Sequence, residues 1–374
     1  MSPARAVARV DLGAVRRNCA ALASRLTDGA ALCAVVKADA YGHGVAPGCA
    51  AAAVEGGASM LAVATAEEAR ELRASGLEVP ILTMGALSAR ELDVALGAGS
   101  EVAVWDGEFL ELVATRGSAL GVRPRVHVKY DTGMGRLGHR DPRAVTELVR
   151  RAAGDDRVEA AAAWTHFATA DEPGSRFFDE QLRRFRELGT ALRAELPGLA
   201  LHAANSAATL RDAASHLDMV RCGIGIYGLD PFQEDPTPRG LEPALELRSY
   251  VAAVKPFHHG DSAGYGQLWR AQQQTNVAVL PIGYGDGVRR GLTNNGSVLI
   301  GGRRHPIVGT VSMDNITVDL GADTDVAVGD EAALIGTQGS ERILCEEVAR
   351  RLATINYEVT CGISSRVPRE HHGV

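Results

Sequence analysis

The chain has 374 residues, 46% of them apolar and 23% charged, and its 46 acids against 39 bases give a formal charge of -7. That length is more than twice the ~150 residues of a typical domain, enough for more than one core, which excludes a peptide, a coiled coil or a small disulfide scaffold. The charge has the wrong sign for a protein that wraps a phosphate backbone, so nucleic acid is not the expected partner.

The N-terminus carries Arg5 and Arg9 and meets Asp11 before any apolar run of signal-peptide length. No stretch approaches the ~18 apolar residues of a membrane helix, so the expected location is the cytoplasm, with no membrane association. The six cysteines (Cys19, Cys33, Cys49, Cys222, Cys345, Cys361) form no C-x-x-C pair and lie mostly in apolar runs. They read as reduced, buried thiols, with no metal site.

From Ala31 to about Ile226 short apolar runs alternate with longer amphipathic ones, the pattern of βα units around a parallel sheet. Strands are predicted at Leu32–Val36, Met60–Ala64, Ile81–Met84, Glu101–Trp105, Arg125–Lys129, Val158–Thr165, Ala200–Ala204 and Leu217–Val220. The helices between them have readable starts: a capping box at Thr65 to Glu68, a cap at Ser88, and Asp141 before Pro142. Eight such units predict an α/β fold, a (β/α)8 barrel of the TIM type, with an open doubly wound sheet as the alternative. A proline-rich polar stretch from Asp230 to Pro243 reads as a linker. Beyond it, strands at Glu246–Val254, Thr275–Pro281, Gly296–Ile300, Pro306–Val311 and Ile316–Leu320, then a helix near Cys345–Leu352, predict a mainly β domain. The expected division is residues 1–236, a barrel with a short N-terminal segment, and residues 237–374.

In such a barrel the active site lies at the C-terminal ends of the strands. The first strand ends in Lys37, followed by Ala-Asp-Ala-Tyr-Gly-His-Gly. A lone lysine at a strand end is ordinarily a solvated charge. One desolvated behind a buried strand has a lowered pKa and a nucleophilic amine, the requirement for an imine with an aldehyde cofactor. The fifth strand leads into Lys129 to Gly138, the sixth into His166, the seventh into His202 to Ser206, and the eighth into Arg221 to Gly225. Taken singly, Ser206 reads as a helix cap, Arg221 as an ion-pair partner and His166 as a core histidine. Their placement on one rim points to a site, and Ser206 with the amides of Gly223 and Ile224 forms a phosphate cradle after strands seven and eight.

The segments around Lys37, Asp131 to Gly138, Ala204 to Ser206 and Arg221 to Gly228 resemble those of alanine racemases, as do Gly264-Tyr265-Gly266, Ser312-Met313-Asp314 and Ile355 to Glu358. The likeness runs in order along nearly the whole chain. It implies a homodimer that binds pyridoxal 5'-phosphate, with each active site completed by the partner's C-terminal domain, and an amino-acid substrate, alanine, racemised to supply D-alanine for peptidoglycan. By the same resemblance Lys37 is the Schiff-base lysine and one catalytic base, and Tyr265 is the base on the opposite face. Tyr265 is assisted through a chain of His166, Arg221 and His202. Arg221 faces the pyridine nitrogen, and Arg136 lies near the phenolic oxygen as a substrate-side residue. Lys129 corresponds to a lysine that many members carbamylate. Tyr41, Asn205, Ser206, Gly223, Ile224 and Tyr357 fall on the cofactor side, Met313 on the substrate carboxylate, and Asp314 beside it.

Cys222, Asn315 and Thr310 depart from the family pattern, standing where proline, glutamine and an entrance arginine are usual. Asp171, Tyr284 and Arg290 retain it. The loss of a guanidinium at position 310 opens the question of substrate breadth, so a racemase of serine, of lysine or of several amino acids is the alternative. A related decarboxylase lacks the opposing tyrosine, and a cofactor-carrying barrel would lack the C-terminal domain.

Overall fold

The computed structural model describes residues 5–27 and 29–373, in two compact units. One unit comprises residues 15–232 and 240–242; the other comprises the described residues up to Ala14 together with 233–239 and 243–373. Among the described residues no helix is long and apolar enough to cross a membrane.

After β1 (Ala6–Asp11), eight parallel strands close into a barrel: β2 (Ala31–Val35), β3 (Ala58–Val63), β4 (Ile81–Thr83), β5 (Ser100–Val104), β6 (Arg125–Lys129), β7 (Glu159–Trp164), β8 (Ala200–His202) and β9 (Met219–Cys222). Closure is made by β2 against β9, with Cys33 opposite Arg221. The predicted strands fall within about two residues of these. The last begins later than expected because Leu217 takes φ 53, a left-handed conformation that cannot continue a strand. Small residues dominate β7, whose Ala161, Ala162 and Ala163 are buried. Alanine has little intrinsic preference for strands, but between barrel interior and outer helices packing decides. The helices begin as their caps predict, Thr65 and Glu68 forming a reciprocal box before Ala66–Ala74 and Ser88 and Glu91 another before Ala89–Gly97.

The second unit is built on a sheet that contains β1, against the expected placement of the N-terminal segment with the barrel. β1 runs antiparallel to β10 (Leu245–Tyr250) and parallel to the C-terminal strand Arg369–His372. Its partners lie far along the chain, where no local signal reveals them. The predicted strand Glu246–Val254 is two, β10 and β11 (Ala253–Phe257), and a further strand at Glu331–Gln338 is one the sequence patterns did not single out. Five cysteines are buried as expected, whereas Cys361 is exposed.

Candidate active site

The barrel register sets the first row of the site. Lys129, Trp164 and His202 are direct neighbours at the ends of β6, β7 and β8. The Lys129 ammonium lies 4.0 Å from the Trp164 ring centroid, and the His202 ring stacks on the indole at 5.6 Å and 7°. Trp164 is thus a wall between a cation and an imidazole, a role the sequence reading missed. Burial, reinforced by Arg221 and Arg136 and opposed by Asp131, pushes the Lys129 amine down to about 7.

Arg221 is buried at the end of β9. Its Nη1 lies 2.7 Å from His202 Nδ1, and its Nη2 donates to Thr165 O at 2.8 Å and Ala203 O at 3.0 Å and lies 3.2 Å from His166 Nδ1. Burial brings the guanidinium down to about 10. His166 and His202 are pushed well below their ordinary value, by burial first and by the Arg221 charge second, so both are neutral. A neutral imidazole accepts from a guanidinium without cancelling its charge.

Lys37 follows β2 and opens an unusual turn: Ala38, Asp39, Ala40 and Tyr41 all have φ between 52 and 55. Left-handed backbone costs a non-glycine residue roughly 1–2 kcal/mol, so four in a row persist only because their surroundings hold them. Glu68 accepts from the amides of Ala38 at 2.6 Å, Ala64 at 2.8 Å and Thr65 at 3.0 Å. Asp39 Oδ1 accepts from Val45 N at 2.8 Å, and His43 stacks on Tyr227 at 4.5 Å. The sequence shows Glu68 as half of a capping box; its second task, clamping the turn beside Lys37, is a tertiary contact. Glu68→Ala is expected to cost about 1–3 kcal/mol in chemical denaturation, because three amides lose an ionised acceptor.

Tyr41 and Ser206 define the cradle. Ser206 Oγ accepts from Gly223 N at 3.0 Å and Gly225 N at 3.2 Å. A Cβ at Gly223 would stand 2.3 Å from Tyr41 Oη, so only glycine admits that hydroxyl. Asn205 caps the helix Ser206–Arg211 by accepting from Ala208 N. With the Ile224 backbone beside it, this set of hydroxyls and amides suits a phosphate, and Lys37 on the same rim suits an aldehyde. Opposite, Asp131 accepts from Gly133 and Gly135 amides and from Arg140 Nε, shaping the loop that bears exposed Arg136.

The remaining predicted residues belong to the second unit. Tyr265 follows Gly264, whose φ of 75 favours glycine, and its carbonyl accepts from Thr310 Oγ1 at 2.6 Å. Thr310, in place of an entrance arginine, is itself buried and ties down the Tyr265 backbone. Asp314 pairs with Arg366 at 2.7 Å, and Tyr284 N donates to Ser312 O beside Met313. Tyr357 lies on the helix Asn356–Cys361, anchored by Asn356 to Glu346 and Gln233.

Fold and site together define a barrel enzyme with an amine, a buried cation and a phosphate-type cradle on the barrel rim, joined to a β-rich unit. A family signature described as "Alanine racemase, N-terminal domain" matches residues 10–231, and one described as "Alanine racemase, C-terminal domain" matches residues 244–371. An alanine racemase of Symbiobacterium thermophilum is 45% identical over 98% of this chain and 97% of its own. The crystal structure of alanine racemase from D-cycloserine-producing Streptomyces lavendulae has a TM-score of 0.94 at 38% identity, over 100% of this chain and 98% of that one. That from Bartonella henselae, with covalently bound pyridoxal phosphate, has a TM-score of 0.87 at 28% identity, over 99% and 100% of the two chains. The chain belongs to the alanine racemase family.

Proposed function

We propose that the protein interconverts L- and D-alanine with pyridoxal 5'-phosphate, and that the D-alanine serves peptidoglycan synthesis. The carrying observation is that the amine of Lys37, the cradle of Tyr41, Ser206 and Gly223, and the buried guanidinium of Arg221 share the barrel rim of a chain related end to end to alanine racemases. Pyridoxal phosphate, when bound, supplies an electron-withdrawing ring that disperses the charge left when the α-proton departs. Lys37 would hold its aldehyde and carry a proton on one face of Cα. Tyr265, from a second copy of the chain, would carry it on the other. Tyr41, Asn205, Ser206, Gly223, Ile224 and Tyr357 would hold the phosphate side, Met313 the substrate carboxylate, and Arg221 would keep the ring nitrogen unprotonated. On the second unit, Tyr265, Leu268, Met313 and Ile355 are 75%, 60%, 52% and 49% exposed, an apolar set that a second copy would cover.

Incubating the purified protein with L-alanine in deuterium oxide tests the reading. The expected result is a racemic product with deuterium at Cα and no carbon dioxide released. L-alanine that stays optically pure and protonated rules it out, and parallel rates on serine and lysine settle the breadth that Thr310 leaves open.

Lys129 would be carbamylated. An amine with a pKa of about 7 is largely unprotonated just above neutrality, and its lone pair can attack carbon dioxide. A new N–C bond forms, one C=O electron pair moves onto oxygen, and the ammonium proton passes to solvent, leaving an anion among Arg136, Arg221 and Lys37. Protonation removes the nucleophile, so the modified fraction should fall as pH drops through about 7. A carbon-13 carbamate signal followed against pH checks this; its absence at pH 8 would count against the modification.

A further inference from the structure

Two polar side chains inside the barrel have no task in the racemase reading. Glu101 on β5 and His127 on β6 are 7% and 3% exposed. Glu101 Oε2 lies 2.6 Å from His127 Nε2, His127 Nδ1 lies 2.9 Å from His202 Nε2, and His202 Nδ1 lies 2.7 Å from Arg221 Nη1. The line is continuous from carboxylate to guanidinium.

Its two ends decide its protons. A guanidinium only donates and an ionised carboxylate only accepts. Arg221 therefore needs a bare His202 Nδ1, which puts the His202 proton on Nε2. That N–H needs a bare His127 Nδ1, which puts the His127 proton on Nε2, facing Glu101. Burial pushes the Glu101 pKa up, but it is lowered overall, with hydrogen bonds from His127 and Arg125 and the Arg125 charge acting against burial. Arg125 Nε donates to the other carboxylate oxygen at 2.9 Å. A second proton on His127 would point an N–H at His202, drive the His202 proton to Nδ1, and set it against the Arg221 donor. Among the described residues none of the Arg221 contacts is a carboxylate: they are two imidazoles, two carbonyls and the Trp164 ring.

We propose that Glu101 and His127 are positioning residues for Arg221: the carboxylate fixes the protons of two imidazoles in line, so that the guanidinium is oriented by a neutral acceptor and keeps its charge for the site. A carboxylate in direct contact would orient the cation equally well and cancel most of its field. At two imidazoles' remove it balances the buried charge and leaves the near field intact. The catalytic consequence rests on the racemase reading; the proton positions do not.

Nitrogen-15 spectra of the full-length, cofactor-loaded protein with labelled histidine test this directly. His127 and His202 should each show a bare Nδ1 and a protonated Nε2; a protonated Nδ1 on either ring at neutral pH overturns the proposal without any variant being made. Glu101→Leu leaves the His127 Nε2–H without its carboxylate acceptor, so the His127 Nε2 signal should move away from its wild-type position. It should lower kcat about tenfold to a hundredfold with KM within about twofold, because orientation is lost and substrate contacts are not. Glu101→Gln, which still offers a carbonyl oxygen to His127, should restore the wild-type nitrogen pattern and most of kcat. An unchanged kcat in a folded Glu101→Leu protein overturns the positioning role. A wild-type protein with the expected tautomers that fails to racemise alanine would defeat the racemase reading alone.

Discussion

Tyr265→Phe is expected to leave the protein folded and cofactor-loaded while lowering racemisation by about 10²–10⁴-fold in both directions, the range of one general acid–base group. The substitution removes only the phenolic oxygen of a side chain that is 75% exposed in the chain, so no packing is lost. What holds the residue is its backbone. Thr310 donates to the Tyr265 carbonyl, and a Cβ at Gly264 would meet Thr310 N at 2.6 Å, so the turn keeps its shape with either ring. One activity should survive. The α-hydrogen of the enantiomer facing Lys37 should still exchange with deuterium oxide, without inversion, while the other enantiomer exchanges slowly. Near-wild-type rates in both directions would sink the two-base assignment.

The strand ends were legible because a parallel barrel writes buried apolar runs into its sequence and puts chemistry directly after them. Lys37, His166, Ser206 and Arg221 all follow such runs. The resemblance then supplied Tyr265, Met313 and Tyr357, which no local pattern singles out. Other parts were hidden by their physics. Glu68 looks like an ordinary capping residue because its contact with Ala38 spans two elements. The left-handed turn has no glycine at its four strained positions, so the usual mark of positive φ is missing. β1 pairs with strands from the far end of the chain. The line from Glu101 to Arg221 did leave a trace: in Arg-Val-His-Val-Lys, residues 125, 127 and 129 alternate with buried valines, so the polar side chains share one face of β6. In a strand buried on both sides that alternation marks a polar interior, and it could have pointed to His127.

Lys37→Ala is the other change with a large expected effect, and it separates attachment from binding. The contacts of Ser206 Oγ with the Gly223 and Gly225 amides survive the change, so pyridoxal phosphate should still bind, more weakly and without the absorbance of a lysine-linked cofactor. Racemisation should fall by at least about 10³-fold, since one substitution removes both the covalent anchor and a base. The loss also takes one cation from a crowded set. Lys37 is among the charges that depress Lys129 and His166, so the Lys129 amine should titrate higher and its carbamate window move to higher pH. Mixing the inactive Lys37→Ala and Tyr265→Phe chains gives the sharpest result. If each site takes Lys37 from one copy and Tyr265 from the other, a mixed dimer holds one intact site, and statistical pairing restores activity to about a quarter of wild type. If both residues came from the same copy, every site in the mixture would carry a defect and no activity would return.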